Sequence, residues 1–288
     1  MSTLLQEDRT VVIYEPNQRV KMGFVRSWVY MLQNIYLSRD LVWQLFKRDF
    51  VSGYKQSFFG VFWLFISPLL GILSWVFMNM TGILHPGDVG VPYPVYILLG
   101  TTLWGLFMNF YTSIASSLAS GGSLILQVNF PHEALVAQQV AQTIANFLIN
   151  ILMISLIVAL FGVSVTWKVI FFPLTLIPLF LMGSAIGMVV AVITVVVHDI
   201  NKMVQFLLSI LMFLTPVVYA STIQNAFIQK IIPMNPMTYL IGGARDIILH
   251  GRINNSLPYG VSCVVATVLF LFSWRFFFLS EHKVAEKI

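Results

Sequence analysis

ALVAQQVAQTIANFLINILMISLIVALF, Ala134 to Phe161, decides the fold, because it holds no Lys, Arg, Asp or Glu over more than the length of one bilayer crossing. A hydrocarbon core of about 30 Å takes roughly 20 apolar helical residues, since lipid offers an unpaired backbone group no partner. The stretch therefore reads as a membrane span. Its polar residues are ordered as well. Gln138, Gln142, Asn146 and Asn150 recur every four residues, with Gln139 and Thr143 beside them, so they share one broad helical face. An unpaired amide in lipid costs roughly 1–3 kcal/mol or more, so this face points at a neighbouring helix or at water. Interhelical hydrogen bonding is one reading of it and pore lining is the other.

Outward from this span lie five more apolar stretches: Gly60 to Met80, Tyr93 to Leu118, Val169 to Val197, Met203 to Tyr219, and Leu257 to Leu279. Arg275 is the only Lys, Arg, Asp or Glu in any of them, near a span end where its long side chain can snorkel to headgroups. The whole chain is 58% hydrophobic and 9% charged, against about 25% charged in an ordinary soluble domain. The expectation is an all-α integral membrane protein with six transmembrane helices. Arg9, Arg19, Lys21, Arg26, Arg39, Lys47, Arg48, Lys55, Lys202, Arg275, Lys283 and Lys287 then share one side, and Lys168, Lys230, Arg245 and Arg252 the other. The positive-inside bias puts both termini in the cytoplasm. The net charge of +5 follows from this topology and calls for no nucleic-acid partner. The polar N-terminus lacks the early apolar core of a signal peptide. Gly183, Gly187 and Ala191 form a small-residue stripe that suits close helix packing.

Three regions follow. Residues 1–59 form a cytoplasmic N-terminal region with amphipathic interface helices. Val25, Trp28, Val29, Leu32, Ile35 and Tyr36 recur at helical spacing, and Val42, Leu45, Phe46, Phe50 and Tyr54 continue a stripe opposite Lys47, Arg48 and Lys55. Such helices either lie on the inner membrane surface or pack on cytoplasmic protein. Residues 60–279 are the six-span domain, and 280–288 a cytoplasmic tail. Within the domain, the segment of about 220–256 is apolar yet broken by Pro233 and Pro236. It reads as two short re-entrant helices dipping into the outer leaflet as an external gate, or as an amphipathic loop on the outer surface.

Catalytic chemistry is thin. Cys263 stands alone, so no disulfide framework or cysteine metal site is expected. His85, His132, His198, His250 and His282 are scattered, and Asp88, Asp246, Glu133 and Asp199 form no paired-carboxylate or HExxH pattern. No GxxxxGK[ST] phosphate loop is present, so any ATP consumed is hydrolysed by another chain.

Three motifs carry a resemblance. RDFVSGYKQSFFGVFWLFISP, Arg48 to Pro68, offers Arg48, Asp49, Tyr54, Lys55, Gln56, Ser57, Gly60, Trp63 and Pro68, with Gly53 where arginine is common. SLILQVNFPHE, Ser123 to Glu133, has Gln127 in place of a frequent lysine. HDINKMVQFLLSILMFLTPVVY, His198 to Tyr219, and IIPMNPMTYLIGGARDIILHG, Ile231 to Gly251, supply Asp199, Pro216, Tyr219, Asn235, Pro236 and Arg245. From about Arg39 to the end of the sixth span, the chain resembles the membrane subunits of bacterial ABC exporters for O-antigen, capsule and teichoic-acid polymers.

The resemblance implies a multi-pass protein of the bacterial inner membrane and a homodimer bound to two copies of a separate ABC ATPase. ATP and Mg would sit on that partner, and no cofactor on this chain. A coupling helix at about 120–133 would touch the ATPase through Gln127, Phe130, Pro131, His132 and Glu133. The cargo would be a polysaccharide, of O-antigen/lipopolysaccharide type, on an undecaprenyl-pyrophosphate-type lipid, leaving through a channel between protomers. Sugar faces stack on aromatic rings, which makes Trp63, Trp75, Trp104, Phe107, Tyr111 and Tyr219 candidates for its lining; such rings also serve as interface anchors. Arg48, Tyr54 and Lys55 stand where a lipid-linked pyrophosphate would enter, and the two cations suit phosphate oxygens. Simple positive-inside anchoring is the competing account of these cations. An ABC exporter of a drug or small lipid would share the coupling segment. A membrane enzyme acting on lipid-linked sugars would share the aromatic and basic features but would need placed acids or a metal.

Overall fold

A computed structural model describes residues 23–55, 62–119, 130–220 and 226–285. Among them every regular element is helical. In chain order these are α1 Phe24–Leu37, α2 Arg39–Lys55, α3 Trp63–Met80, α4 Tyr93–Ala115, α5 Glu133–Leu160, a 3₁₀ turn Trp167–Phe171 running into α6 Phe172–Val196, and α7 Ile200–Phe213. Then come α8 Ala226–Ile231, a 3₁₀ turn Ile232–Met234, α9 Pro236–His250 and α10 Ser256–Ala285.

Four helical stretches among the described residues are long and apolar enough to cross a membrane: Tyr93–Ala115, Glu133–Leu160, Trp167–Val196 and Ser256–Ser280. Two apolar stretches are shorter, Leu69–Met80 and Ile200–Phe213. The expected fifth span, Met203 to Tyr219, differs most from what forms. Its helix stops at Phe213, and Leu214 to Ala220 is not helical. Pro216 explains the stop: proline lacks an N–H and its ring disfavours helical backbone at the preceding residue.

α6 is the hub, packed against α4 on one side and α10 on another. The small-residue stripe sets the first approach. A Cβ at Gly183 would stand 2.8 Å from the Phe107 carbonyl oxygen, and one at Gly187 would stand 2.9 Å from that of Tyr111. Glycine alone lets the two backbones come this close. Phe107, Tyr111, Leu179, Met182 and Leu240 lie in the buried core between these helices.

Two residues of the polar face of α5 reach neighbouring helices. Gln138 donates from Nε2 to Asp49 Oδ2 of α2 at 3.2 Å, and Thr143 donates to Ser113 Oγ of α4 at 3.3 Å. Asn150 turns back on its own helix, to the Asn146 carbonyl. α1 buries Ser27, Met31 and Asn34 against the bundle and leaves Val25, Val29, Leu32 and Tyr36 exposed. Trp28 stacks near Trp274 of α10, their ring centres 5.0 Å apart, and Arg275 donates to Ser27 Oγ at 3.1 Å. An apolar face turned away from the protein suits a helix lying in a membrane surface.

Candidate functional site

The non-helical Pro216–Ala220 stretch, at the end of α7, would strand its carbonyls in an apolar bundle, where each unpaired group is costly. The fold answers this with side chains from two other helices. Tyr93 and Tyr96 stand about one turn apart at the start of α4. Tyr93 donates its hydroxyl to the Val218 carbonyl at 3.1 Å, and Tyr96 donates to that of Tyr219 at 2.9 Å. Arg245, in the middle of α9, donates from Nη2 to the Pro216 carbonyl at 3.2 Å and from Nη1 to that of Val217 at 3.5 Å. Its guanidinium carbon lies 3.8 Å from the centre of the Tyr96 ring, a cation–π contact in a desolvated setting. Arg245 is only 7% exposed.

The same segment is held from three further directions. The Ala220 amide donates to the Pro86 carbonyl at 2.7 Å, and Tyr219 donates its hydroxyl to the Phe213 carbonyl at 2.7 Å. Gly100 of α4 makes room for it: a Cβ there would meet the Val217 oxygen at 2.3 Å. Asn235 ties it to α9. Its Oδ1 accepts from the Met237 amide at 3.0 Å, capping the helix that Pro236 begins, while its Nδ2 donates to Thr215 Oγ1 at 2.8 Å. Gly251 ends α9 in the left-handed conformation, φ 64°, which glycine adopts without strain. Two tyrosines and one arginine thus pin a plug of unwound backbone beside the start of α4.

At the other end α7 is fastened again, by Tyr111 donating to Asn201 Oδ1 at 2.8 Å. Here too lies the Asp49–Gln138 contact between α2 and α5. Arg48 donates from Nε to Asp49 Oδ1 at 2.7 Å, and that hydrogen bond raises the guanidinium's pKa above its ordinary value. Its side chain is 65% exposed, so the cation faces outward while its carboxylate partner anchors it.

The residues singled out in the sequence are thus scattered. Trp104, Phe107, Tyr111 and Tyr219 are buried within the chain. Trp75 is half-buried, its ring 6.4 Å from that of Phe213. His132 and Glu133 are buried at the start of α5, whereas Phe130 and Pro131 are partly exposed. Gln127, and the side chains of Tyr54, Lys55 and Trp63, lie outside the described residues. Tyr93 and Tyr96 escaped the sequence reading. The signal available was two tyrosines at the mouth of an apolar span, but their acceptors lie more than a hundred residues away. Among the described residues no group of His, Cys, Asp and Glu could hold a metal ion.

Apolar helices long enough to span, with one shorter helix ending in unwound backbone inside the bundle, mark a multi-helix membrane protein. The chain belongs to the ABC-2 type transporter family, which it matches over residues 40–249, and is therefore a membrane transport subunit. It is 26% identical over 261 residues to the O-antigen export system permease protein RfbA of Myxococcus xanthus, covering 90% of this chain and 99% of that protein. A protein of the same name from Klebsiella pneumoniae is 24% identical over 227 residues, 78% of this chain and 86% of its own. The inner membrane transport permease YadH of Escherichia coli (strain K12) is 26% identical over 210 residues, 69% and 80% respectively.

Proposed function

We propose that this chain is the transmembrane half of an ATP-driven exporter that carries a lipid-linked polysaccharide, of O-antigen type, out of the cytoplasm across the inner membrane. The likeness to the Myxococcus xanthus O-antigen export permease, over nearly the whole of both chains, carries this reading. Two copies of the chain would enclose the channel, each with six spans and both termini in the cytoplasm. Two copies of a separate ABC ATPase would bind ATP and Mg, and this chain would bind no cofactor.

The geometry supports a division of labour. Phe130 and Pro131, partly exposed, would meet the ATPase with Gln127, while buried His132 and Glu133 would root that contact in α5. Motion of α5 would reach α2 through Gln138 and Asp49. Arg48, Tyr54 and Lys55 would receive the pyrophosphate at the cytoplasmic surface, Arg48 held outward by Asp49. At the far end, the Pro216–Ala220 plug with α8 and α9 would be the external gate, dipping into the outer leaflet. Of the aromatic candidates, Trp63 and Trp75 would meet sugar, while Trp104, Phe107, Tyr111 and Tyr219, buried within the chain, would come into contact with it only if the helices around them move apart.

Deleting the gene and locating the polymer tests this. Lipid-linked polymer trapped in the cytoplasm, restored to the surface by the intact gene, is the expected result. Polymer absent everywhere would instead indicate an enzyme that builds it. Normal surface polymer would favour export of a drug or small lipid, the second reading.

A further inference from the structure

Between α1 and the bundle lies a cavity of about 190 Å³. Ile35 of α1, Val136 and Val140 of α5, Ser184 of α6, and Phe270 and Trp274 of α10 are among its walls. It runs beside α5 from Glu133 to Val140 and beside α10 from Phe277 to Phe270, about 10 Å along each helix at 1.5 Å per residue. The shape is a slot parallel to the helices. Ser184 sits midway along α6 and Glu133 opens α5, so the slot reaches from the middle of the bundle to the end where α1 lies.

Helix bundles seldom leave a void of this size, and an apolar one stays dry or takes up hydrocarbon. Ser184 Oγ is 1% exposed and has no hydrogen-bond partner. The other acid or hydroxyl on its walls is the buried Glu133 at the α1 end; Val136, Ala137, Val140, Phe180 and Phe270 make the rest of the lining apolar. The slot is too small and too apolar for a headgroup or a sugar. It lies beneath a helix whose outer face, Val25, Val29, Leu32 and Tyr36, is itself exposed and apolar, so acyl chains are what adjoin it. We propose that the slot holds part of one acyl chain of a membrane phospholipid, which fills the space between α1 and the bundle. The proposal needs only that the chain sits in a membrane, and it stands or falls independently of the cargo.

Native mass spectrometry of the full-length chain in mild detergent, with added phosphatidylethanolamine of defined mass, tests it. One phospholipid per chain should survive delipidation, remain in Ser184→Ala, and fall at least tenfold in Ser184→Leu and Ala137→Leu, which fill the slot. Equal retention in the filled variants, no retained phospholipid in the unaltered chain, or a polyprenyl phosphate in its place would overturn the assignment. Should the filled variants not fold, quenching of tryptophan fluorescence by phospholipid brominated along its acyl chains decides. Trp274→Phe should remove a distinct quenched component; an unchanged quenching curve would refute the site.

Discussion

Arg245 does three things at once, and its replacements should separate them. It donates to the Pro216 and Val217 carbonyls and lies on the Tyr96 ring. Charged hydrogen bonds contribute about 1.5–3 kcal/mol and a desolvated cation–π contact about 2. Arg245→Ala should therefore cost several kcal/mol, read as a large drop in the thermal unfolding midpoint in detergent. Arg245→Lys should rescue little, because one ammonium cannot reach two carbonyls and stack on a ring. Tyr96→Phe keeps the ring under Arg245 but removes the hydroxyl's bond to the Tyr219 carbonyl and its longer one, 3.5 Å, to that of Pro216, and should cost about 1 kcal/mol. Were Arg245→Lys as stable as the unaltered protein, the planar, bidentate account of this site would be wrong. The site was half-legible in the sequence. Pro216, Tyr219, Asn235 and Arg245 stood out through their motif, but Tyr93 and Tyr96 looked like the ordinary start of a span. A side chain's acceptor 120 residues away leaves no trace in local spacing.

Among elements, the long spans were readable almost to the residue, because hydropathy and helix length are the same measurement in a bilayer. Ala134 to Phe161 became Glu133–Leu160, and Leu257 to Leu279 falls inside Ser256–Ala285. The fifth stretch differs in its helix end, because apolar composition continues past Phe213 while helical backbone does not. Hydropathy registers the environment of a segment, and Pro216 decides its conformation. The stripe of Gly183 and Gly187 was legible as packing, and the partner it chose was α4. Gly187→Val should be badly tolerated, since even its Cβ would press against the Tyr111 oxygen. Reduced accumulation in membranes, with Gly105→Ala as a control where nothing lies within 4 Å, is the expected outcome. The α2–α5 contact is weaker. A double-mutant cycle of Asp49→Ala with Gln138→Ala, read by unfolding in detergent, should give a coupling of about 0.5–1.5 kcal/mol; strict additivity would mean that the two helices are held by apolar packing alone.

For the whole molecule, the open question of how many times the chain crosses turns on α3 and α7. α7 has 14 residues, about 21 Å of helix and short of a 30 Å core. Its contacts nonetheless connect both ends of α4. Asn201, at its start, meets Tyr111, and Val218, beyond its end, meets Tyr93. Tyr93 and Tyr111 are about 27 Å apart along their helix. The unwound Leu214–Ala220 stretch supplies the missing length, and the tyrosines and Arg245 pair the backbone that such a stretch exposes. A short helix completed by pinned, non-helical chain would let this segment cross with few unpaired backbone groups. α3, with 18 residues, is about 27 Å long, close to the thickness of the core. The proposed six crossings, with both termini inside, would put residues 88, 168 and 252 outside, and residues 202 and 283 inside. With Cys263 replaced by serine, single cysteines at Asp88, Lys168, Lys202, Arg252 and Lys283 can be labelled in intact spheroplasts by a membrane-impermeant maleimide. Labelling of Asp88→Cys, Lys168→Cys and Arg252→Cys, with Lys202→Cys and Lys283→Cys protected until the membrane is opened, is the expected pattern. Protection of Arg252→Cys together with labelling of Lys283→Cys would mean that α7 turns back without crossing, and the plug would then lie on the cytoplasmic side.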